Sequence, residues 1–243
     1  MCGRFLLTAP PEAVQRLFGF LELPNLEPRY NIAPSQAVAA MIRDAATERH
    51  FLWLRWGLVP SWAKGARAKG GPAAKPLINA RAESVADKPS FRAAFAERRC
   101  VVFADGFYEW RQDGNRQPYC VRLTDASPFT FAALWEPLAD VGAGEGGAAG
   151  EPTAGCALIT TEANARMAAV HHRMPVILTP EEVGPWLDPA SSRATLAALL
   201  KPLPDDAVTL TPVSRRVNAV RADDAGLLDE ERLPEAPPQL DLF

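Results

Sequence analysis

The chain has little of what marks an exported, membrane-bound or metal-held protein. Its 243 residues include only four cysteines, Cys2, Cys100, Cys120 and Cys156, and only three histidines. No two cysteines form a C-x-x-C pair, so neither a zinc site nor a disulfide framework is expected. No run approaches the ~20 apolar residues a membrane span needs. No basic-then-apolar leader opens the sequence. Repeats are absent, and no second domain is expected. A soluble, cytoplasmic protein follows as the expectation, monomeric, without membrane association, metal or cofactor.

Net charge is also small, at −3, which argues against a nucleic-acid binder until its distribution is read. From Arg221 to Phe243 there are two basic and seven acidic residues. The rest of the chain is therefore slightly positive. Between Pro60 and Arg81 stand Lys64, Arg67, Lys69, Lys75 and Arg81 with no acid among them, and Trp62 opens the strip. Such a strip can hold phosphates while the whole molecule stays acidic.

What the chain does have is apolar residues, 48% of the total, ample for one core. Helical spacing is expected over Glu12–Phe18, Pro89–Arg99, Ala163–Val170, Pro180–Leu187 and Ala190–Leu200. Strand-like runs cover Ala37–Ile42, Phe51–Trp56, Cys100–Phe103, Tyr119–Leu123, Phe129–Leu134, Cys156–Thr161, Val176–Leu178 and Ala207–Val213. Strands outnumber helices without alternating strictly, which predicts an α+β fold. The domain is expected over residues 1–222, with residues 141–155 a flexible Gly/Ala-rich loop and residues 223–243 an acidic, mobile tail. Gly142 to Gly147 formally match G-x-G-x-x-G, but no helix follows and no acid sits at ribose distance, so no dinucleotide site is expected.

Chemistry concentrates at Met1-Cys2-Gly3-Arg4-Phe5. A small second residue permits removal of Met1, which leaves Cys2 with a free α-amine beside its own thiol. The amine titrates near ~8 and the thiol near ~8.5. An amine and a thiol on one residue can condense with an aldehyde, first to a Schiff base and then to a thiazolidine ring. The same thiol could instead attack an acyl group, as in an N-terminal-cysteine hydrolase. A third reading is a non-covalent single-strand-binding module, which would use Trp62 and Arg81 and leave Cys2 idle.

Other polar residues stand where a core would not want them. They lie in Arg29-Tyr30-Asn31-Ile32-Ala33-Pro34, in Trp56-Gly57-Leu58-Val59-Pro60-Ser61-Trp62 and in Asn79-Ala80-Arg81-Ala82-Glu83. Glu109 is expected just beyond an apolar strand in Asp105-Gly106-Phe107-Tyr108-Glu109-Trp110. His171-His172-Arg173-Met174-Pro175 precedes another strand, and neighbouring strand residues face opposite ways, so the two histidines are not expected to share a ligand. Together these residues supply a nucleophile, a carboxylic acid, an imidazole, an amide and phosphate binders.

Six of these motifs, in this order, resemble the SRAP family of SOS-response-associated peptidases, over nearly the whole chain from Cys2 to about Arg221. The resemblance implies a single α+β domain with a mixed, partly closed, barrel-like sheet flanked by short helices. It implies an abasic-site sensor that binds single-stranded DNA and crosslinks its Cys2 covalently to the lesion. It implies catalytic roles for Cys2, Asn79, Glu109 and His171, and DNA contacts from Gly3, Arg4, Asn31, Pro34, Trp62, Arg81 and Arg173. His172 replaces the Asp of many relatives, and Ala63 stands where some carry a second aromatic residue. Replication-fork partners are not assigned by the resemblance.

Overall fold

The computed structural model describes residues 2–21, 24–44, 48–63, 74–138 and 151–232. Lys64, Arg67 and Lys69 of the basic strip, and most of the Gly/Ala loop, lie outside them.

One sheet contains β1 (Arg4–Leu7), β2 (Arg29–Ile32), β7 (Gly106–Trp110), β8 (Pro118–Leu123) and β13 (Val208–Pro212), in the order β13-β8-β7-β1-β2. The other contains β3 (Ala37–Arg43), β4 (Arg49–Trp56), β6 (Arg99–Ala104), β9 (Phe129–Pro137), β10 (Ala154–Glu162), β11 (Arg173–Pro175) and β12 (Ile177–Leu178), with β5 (Asn79–Arg81) laid parallel on β10. Strand β10 pairs with both β4 and β9, so β10, β4, β3, β6 and β9 form a closed ring. The mixed, partly closed sheet is the expected α+β architecture.

Ring closure depends on a glycine. A Cβ on Gly155 would lie 2.4 Å from the Gly57 carbonyl oxygen, far inside contact distance. Only a residue without a side chain lets the β10 backbone approach β4 there.

Short helices flank the sheets, among them α1 (Pro11–Phe18), α2 (Arg92–Glu97), α3 (Ala165–Ala168), α4 (Pro180–Leu187) and α5 (Arg193–Leu199). Helix α2 is shorter than its periodicity predicts, because Arg99 has joined β6. There its guanidinium donates to the carbonyls of Trp186, Phe95, Ala96 and Asp188. Helix α3 is a single turn started by the Asn164 side chain, which accepts from Met167 N–H.

Strand β1 divides two cores by its period of two. Phe5 and Leu7 enter the main cluster, where the Phe5 ring meets Trp56 at 5.1 Å and Phe131 at 5.5 Å. Leu6 turns to a smaller cluster with Tyr108, Cys120, Val213, Val217 and Leu227. Leu227 belongs to the stretch expected as a mobile tail. Residues 223–232 instead pack on the fold: Asp223 accepts from Asn31 N–H at 3.0 Å, and Glu230 bridges to Val213. At the other doubtful segment, Ala154 and Gly155 already belong to β10 rather than to the loop. Among the described residues, no helix is long and apolar enough to cross a membrane.

Candidate active site

Cys2 sits immediately before β1, and its side chain is 0% exposed within the main apolar cluster. Antiparallel pairing of β1 with β7 sets Arg4 opposite Tyr108 and Phe5 opposite Phe107. Continued by one step, that register brings Gly3 opposite Glu109. Glu109 lies inside β7, not beyond the preceding strand as the sequence suggests. The apolar run had already ended at β6, and a tight turn at Asp105 starts a new strand.

Asn79 reaches the same place from the other sheet. Its Nδ2 donates to the Cys2 carbonyl at 2.9 Å. Its Oδ1 is buried and has no hydrogen-bond partner among the described residues. A buried carbonyl oxygen left without a donor is an acceptor held ready for one. Parallel pairing of β5 with β10, Asn79 opposite Leu158, fixes this amide in position.

The environment shifts the ionisation of all three titratable groups. Burial and the nearby Glu109 charge push the Cys2 thiol well up, so it is a neutral thiol at pH 7. Glu109 is 2% exposed. Burial raises its carboxyl to about 7, against the pull of the chain's positive amino terminus and a hydrogen bond from the Trp110 backbone. His171 is lowered to about 4, first by burial and then by the same positive terminus. It is a neutral imidazole at pH 7. His171 Nδ1 lies 2.9 Å from the Arg173 N–H and 3.2 Å from the Arg173 carbonyl oxygen, so the Arg173 backbone fixes the ring.

His171 and His172 lie in the turn after α3, outside any strand, and their rings stack at 4.4 Å. The expectation that they face opposite ways fails, because strand alternation does not apply to a turn. His172 stays exposed and approaches Gln112 Oε1 at 3.3 Å. Among the described residues, no three His, Cys, Asp or Glu side chains are grouped to hold a metal ion.

The expected DNA contacts separate into accessible and buried groups. Trp62 is 61% exposed, Arg81 is exposed on β5, and Pro34 is half-buried in the turn after β2. Gly3 and Arg4 line a pocket of about 450 Å³ together with Trp110, Arg116 and Asn218. Asn31 is different: it is fully buried, accepts from Arg4 Nη1 at 2.9 Å and donates to the carbonyls of Val217, Ala219 and Ala222. Arg173 is 8% exposed, forks onto Glu83 at 2.6 and 3.0 Å, and donates to the Thr160 carbonyl. The Asn31 amide is bonded within the fold, whereas Arg173 Nε is buried with no hydrogen-bond partner among the described residues. Asn31 fixes the Arg4 wall, and Arg173 fixes the His171 turn.

Trp110, Arg116, Asn218 and Glu83 were not foreseen as part of this site. Trp110 and Glu83 stand within motifs read for their neighbours. Arg116 and Asn218 carry no motif; Asn218 arrives from the far end of the chain, where its Oδ1 accepts from Trp110 Nε1 at 2.8 Å.

The fold and the site define a single-domain α+β protein whose Cys2, one residue from the amino terminus, is bonded by an amide and lies near an acid of raised pKa. A family model described as SOS response associated peptidase (SRAP) matches residues 1–220, and the chain belongs to that family. It is 36% identical to the abasic site processing protein YoaM of Bacillus subtilis over 237 residues, 95% of this chain and 99% of that one. It is 28% identical to the abasic site processing protein YedK of Escherichia coli, over 94% of this chain and 99% of that one. A crystal structure of a Bacteroides thetaiotaomicron protein superposes with a TM-score of 0.77 at 25% identity, covering 95% of this chain and all of the other.

Proposed function

We propose that this protein captures abasic sites in single-stranded DNA by covalent crosslinking through Cys2, once loss of Met1 has freed its α-amine. The observation that carries the reading is the enclosure of Cys2 by the Asn79 amide, bonded to it at 2.9 Å, and by the Glu109 carboxyl held at about 7. The names of the relatives support the same substrate class.

An abasic sugar in its ring-opened form offers a C1′ aldehyde. The Cys2 amine adds to that carbon and gives a carbinolamine. Glu109 in its acid form protonates the departing hydroxyl, water leaves, and a Schiff base remains. The Cys2 sulfur then bonds to C1′, and its proton passes by way of Glu109 to the nitrogen. The net change is one water lost and a five-membered thiazolidine gained. An acid with a pKa of about 7 is present in both forms at neutral pH, which suits a group that must first give and then take a proton. We assign to the neutral His171 the exchange of protons during the same steps, and to Asn79 Oδ1 the acceptance of a hydrogen bond from the new ring's N–H.

Binding follows from the accessible groups. Arg81, Arg4 and Arg116 offer charge to phosphates, and Trp62 offers a face for a base. An abasic site is already unstacked, so exposing it costs little. A hydrolase with a Cys2 thiolate is less well supported, because burial and Glu109 both oppose the thiolate.

The test is an SDS gel shift with a single-stranded oligonucleotide carrying one abasic site. A heat-stable slow band is expected with the wild type only, and neither with an undamaged oligonucleotide nor with Cys2→Ala. No band from protein shown by mass spectrometry to lack Met1 would reject the proposal.

A further inference from the structure

One short turn, Arg215–Asn218, sets three walls of the pocket beside Cys2. That pocket, of about 450 Å³, is lined by Gly3, Arg4, Trp110, Arg116 and Asn218. Arg215 Nη2 donates to the Asn115 carbonyl at 3.1 Å, which holds the β7–β8 hairpin at the residue before Arg116. The Val217 carbonyl accepts from Arg4 Nη1 at 2.8 Å. Asn218 Oδ1 accepts from Trp110 Nε1 at 2.8 Å. Arg116 itself has a φ of 51°, in the left-handed region that a residue with a side chain enters only when its surroundings impose it.

The bond to Trp110 settles which way the Asn218 amide faces. An indole N–H can only donate, so the atom that meets it is the amide oxygen. Nδ2 is left as a donor without a partner among the described residues, on an exposed side chain at the pocket's wall. Arg4 and Arg116 also carry only donors. The sole acceptor among these four side chains, Asn218 Oδ1, is therefore already engaged.

The parts fit one nucleotide. Two guanidiniums suit its phosphate. The half-buried Trp110 indole suits the face of its base. An oriented amide donor suits one atom on the base edge. That donor distinguishes bases, because guanine and thymine carry a carbonyl oxygen where adenine and cytosine carry an amino group. A fixed N–H bonds to the first pair and opposes the second. Gly3 is covalently next to Cys2, so the nucleotide held in this pocket adjoins the one that Cys2 reaches.

We propose that Asn218 reads the base adjoining the abasic site and favours a keto base, guanine or thymine, over adenine or cytosine. This inference rests on the proposed capture of abasic sites and names the strands that are captured fastest. Trp110 has two parts in it, as a face for the base and as the group that fixes the amide which reads the edge.

The test is an internal competition for limiting protein. Two abasic oligonucleotides with different fluorescent labels differ only in the base on one side of the lesion. Guanine is set against adenine, and thymine against cytosine, so that ring size and stacking cancel within each pair. Each side of the lesion is tried in turn, and the ratio of the two crosslinked bands is read. On one side the keto base should win by about fivefold or more in both pairs. Asn218→Asp replaces the donor by an acceptor and keeps an oxygen for Trp110. It should bring both ratios to one or below, whatever the added charge does to the overall rate. Equal capture within either pair on both sides would overturn the inference and leave abasic-site capture standing. A keto preference that survives Asn218→Asp would overturn it as well. No crosslinked band from any oligonucleotide, with protein that lacks Met1, would reject the abasic-site reading and this inference with it.

Discussion

Asn79 and Cys2 are 77 residues apart in sequence and joined by one hydrogen bond, Nδ2 to the Cys2 carbonyl at 2.9 Å. That bond ties the reactive end of the chain to the closed ring of strands through β5. It also aims Asn79 Oδ1, buried and without a partner among the described residues, into the space beside Cys2. Asn79→Ala should lower the crosslinking rate about tenfold, the worth of roughly one hydrogen bond. Single-strand affinity should be unchanged. Rates from timed gel shifts, beside affinities from anisotropy on undamaged DNA, separate the two effects.

Glu109 combines function with a cost in stability. Its carboxyl rises from the ordinary 4.5 to about 7 on folding. The folded chain thus keeps a proton that the unfolded chain gives up between those values. Its contribution to stability is full below pH 4.5 and is lost as pH climbs through 7. Glu109→Gln should therefore be the more stable protein at pH 8, by about 2–3 kcal/mol, while its crosslinking falls by a factor of ~100 or more. Denaturant titrations at pH 5 and pH 8 test the first half. An equal stability difference at both pH values would contradict it.

The pH dependence of His171 runs the opposite way. Its folded pKa is depressed to about 4, so the unfolded chain takes up a proton that the folded chain refuses as pH drops below about 6.5. Stability associated with His171 is present above that value and declines as pH falls through 4. His171→Gln should flatten the acid limb of a melting-temperature profile between pH 6.5 and 4.

On the proposed mechanism, Glu83 acts on the chemistry at one remove. It holds the Arg173 guanidinium in a fork, and the Arg173 backbone holds His171 Nδ1. Glu83→Gln should slow crosslinking by about three- to tenfold without weakening single-strand binding, and Glu83→Asp should recover part of the loss. The specific readout is the ring-nitrogen NMR signal of His171, which should show a mixture of tautomers in Glu83→Gln and a single one in the wild type.

Trp62 tests the binding surface alone. Its ring is 61% exposed, so Trp62→Ala should leave the melting temperature in place. One stacked base is worth ~1–3 kcal/mol, so affinity for single-stranded DNA should drop by between five- and a hundredfold, with strand length held constant.

Most of the long strands could be read from the sequence because their apolar runs are long: β3, β4, β6, β8, β9 and β10 all fall where β-rich segments stand. Strands β1, β2 and β7 were missed as strands, and they are the ones that build the site. Arg4, Asn31 and Glu109 interrupt their apolar pattern, so chemistry masked periodicity. The residues Cys2, Asn79, Glu109 and His171 were legible through their motifs, but their enclosure was not. Nothing local announces that Asn79 reaches Cys2, or that Asn31 spends its polar atoms on the fold and Arg173 forks onto Glu83. Asp223 looked like the start of an acidic tail, since a carboxylate that caps two backbone N–H groups reads in sequence like any other.

The complete burial of Cys2 makes selectivity a matter of admission. Cells contain peroxides and small aldehydes that would consume an exposed, ionised cysteine within its working life. A protonated sulfur packed among apolar side chains is a poor target for oxidants, which act on the thiolate. On the proposed function, such a sulfur keeps its reactivity in reserve until a strand reaches it.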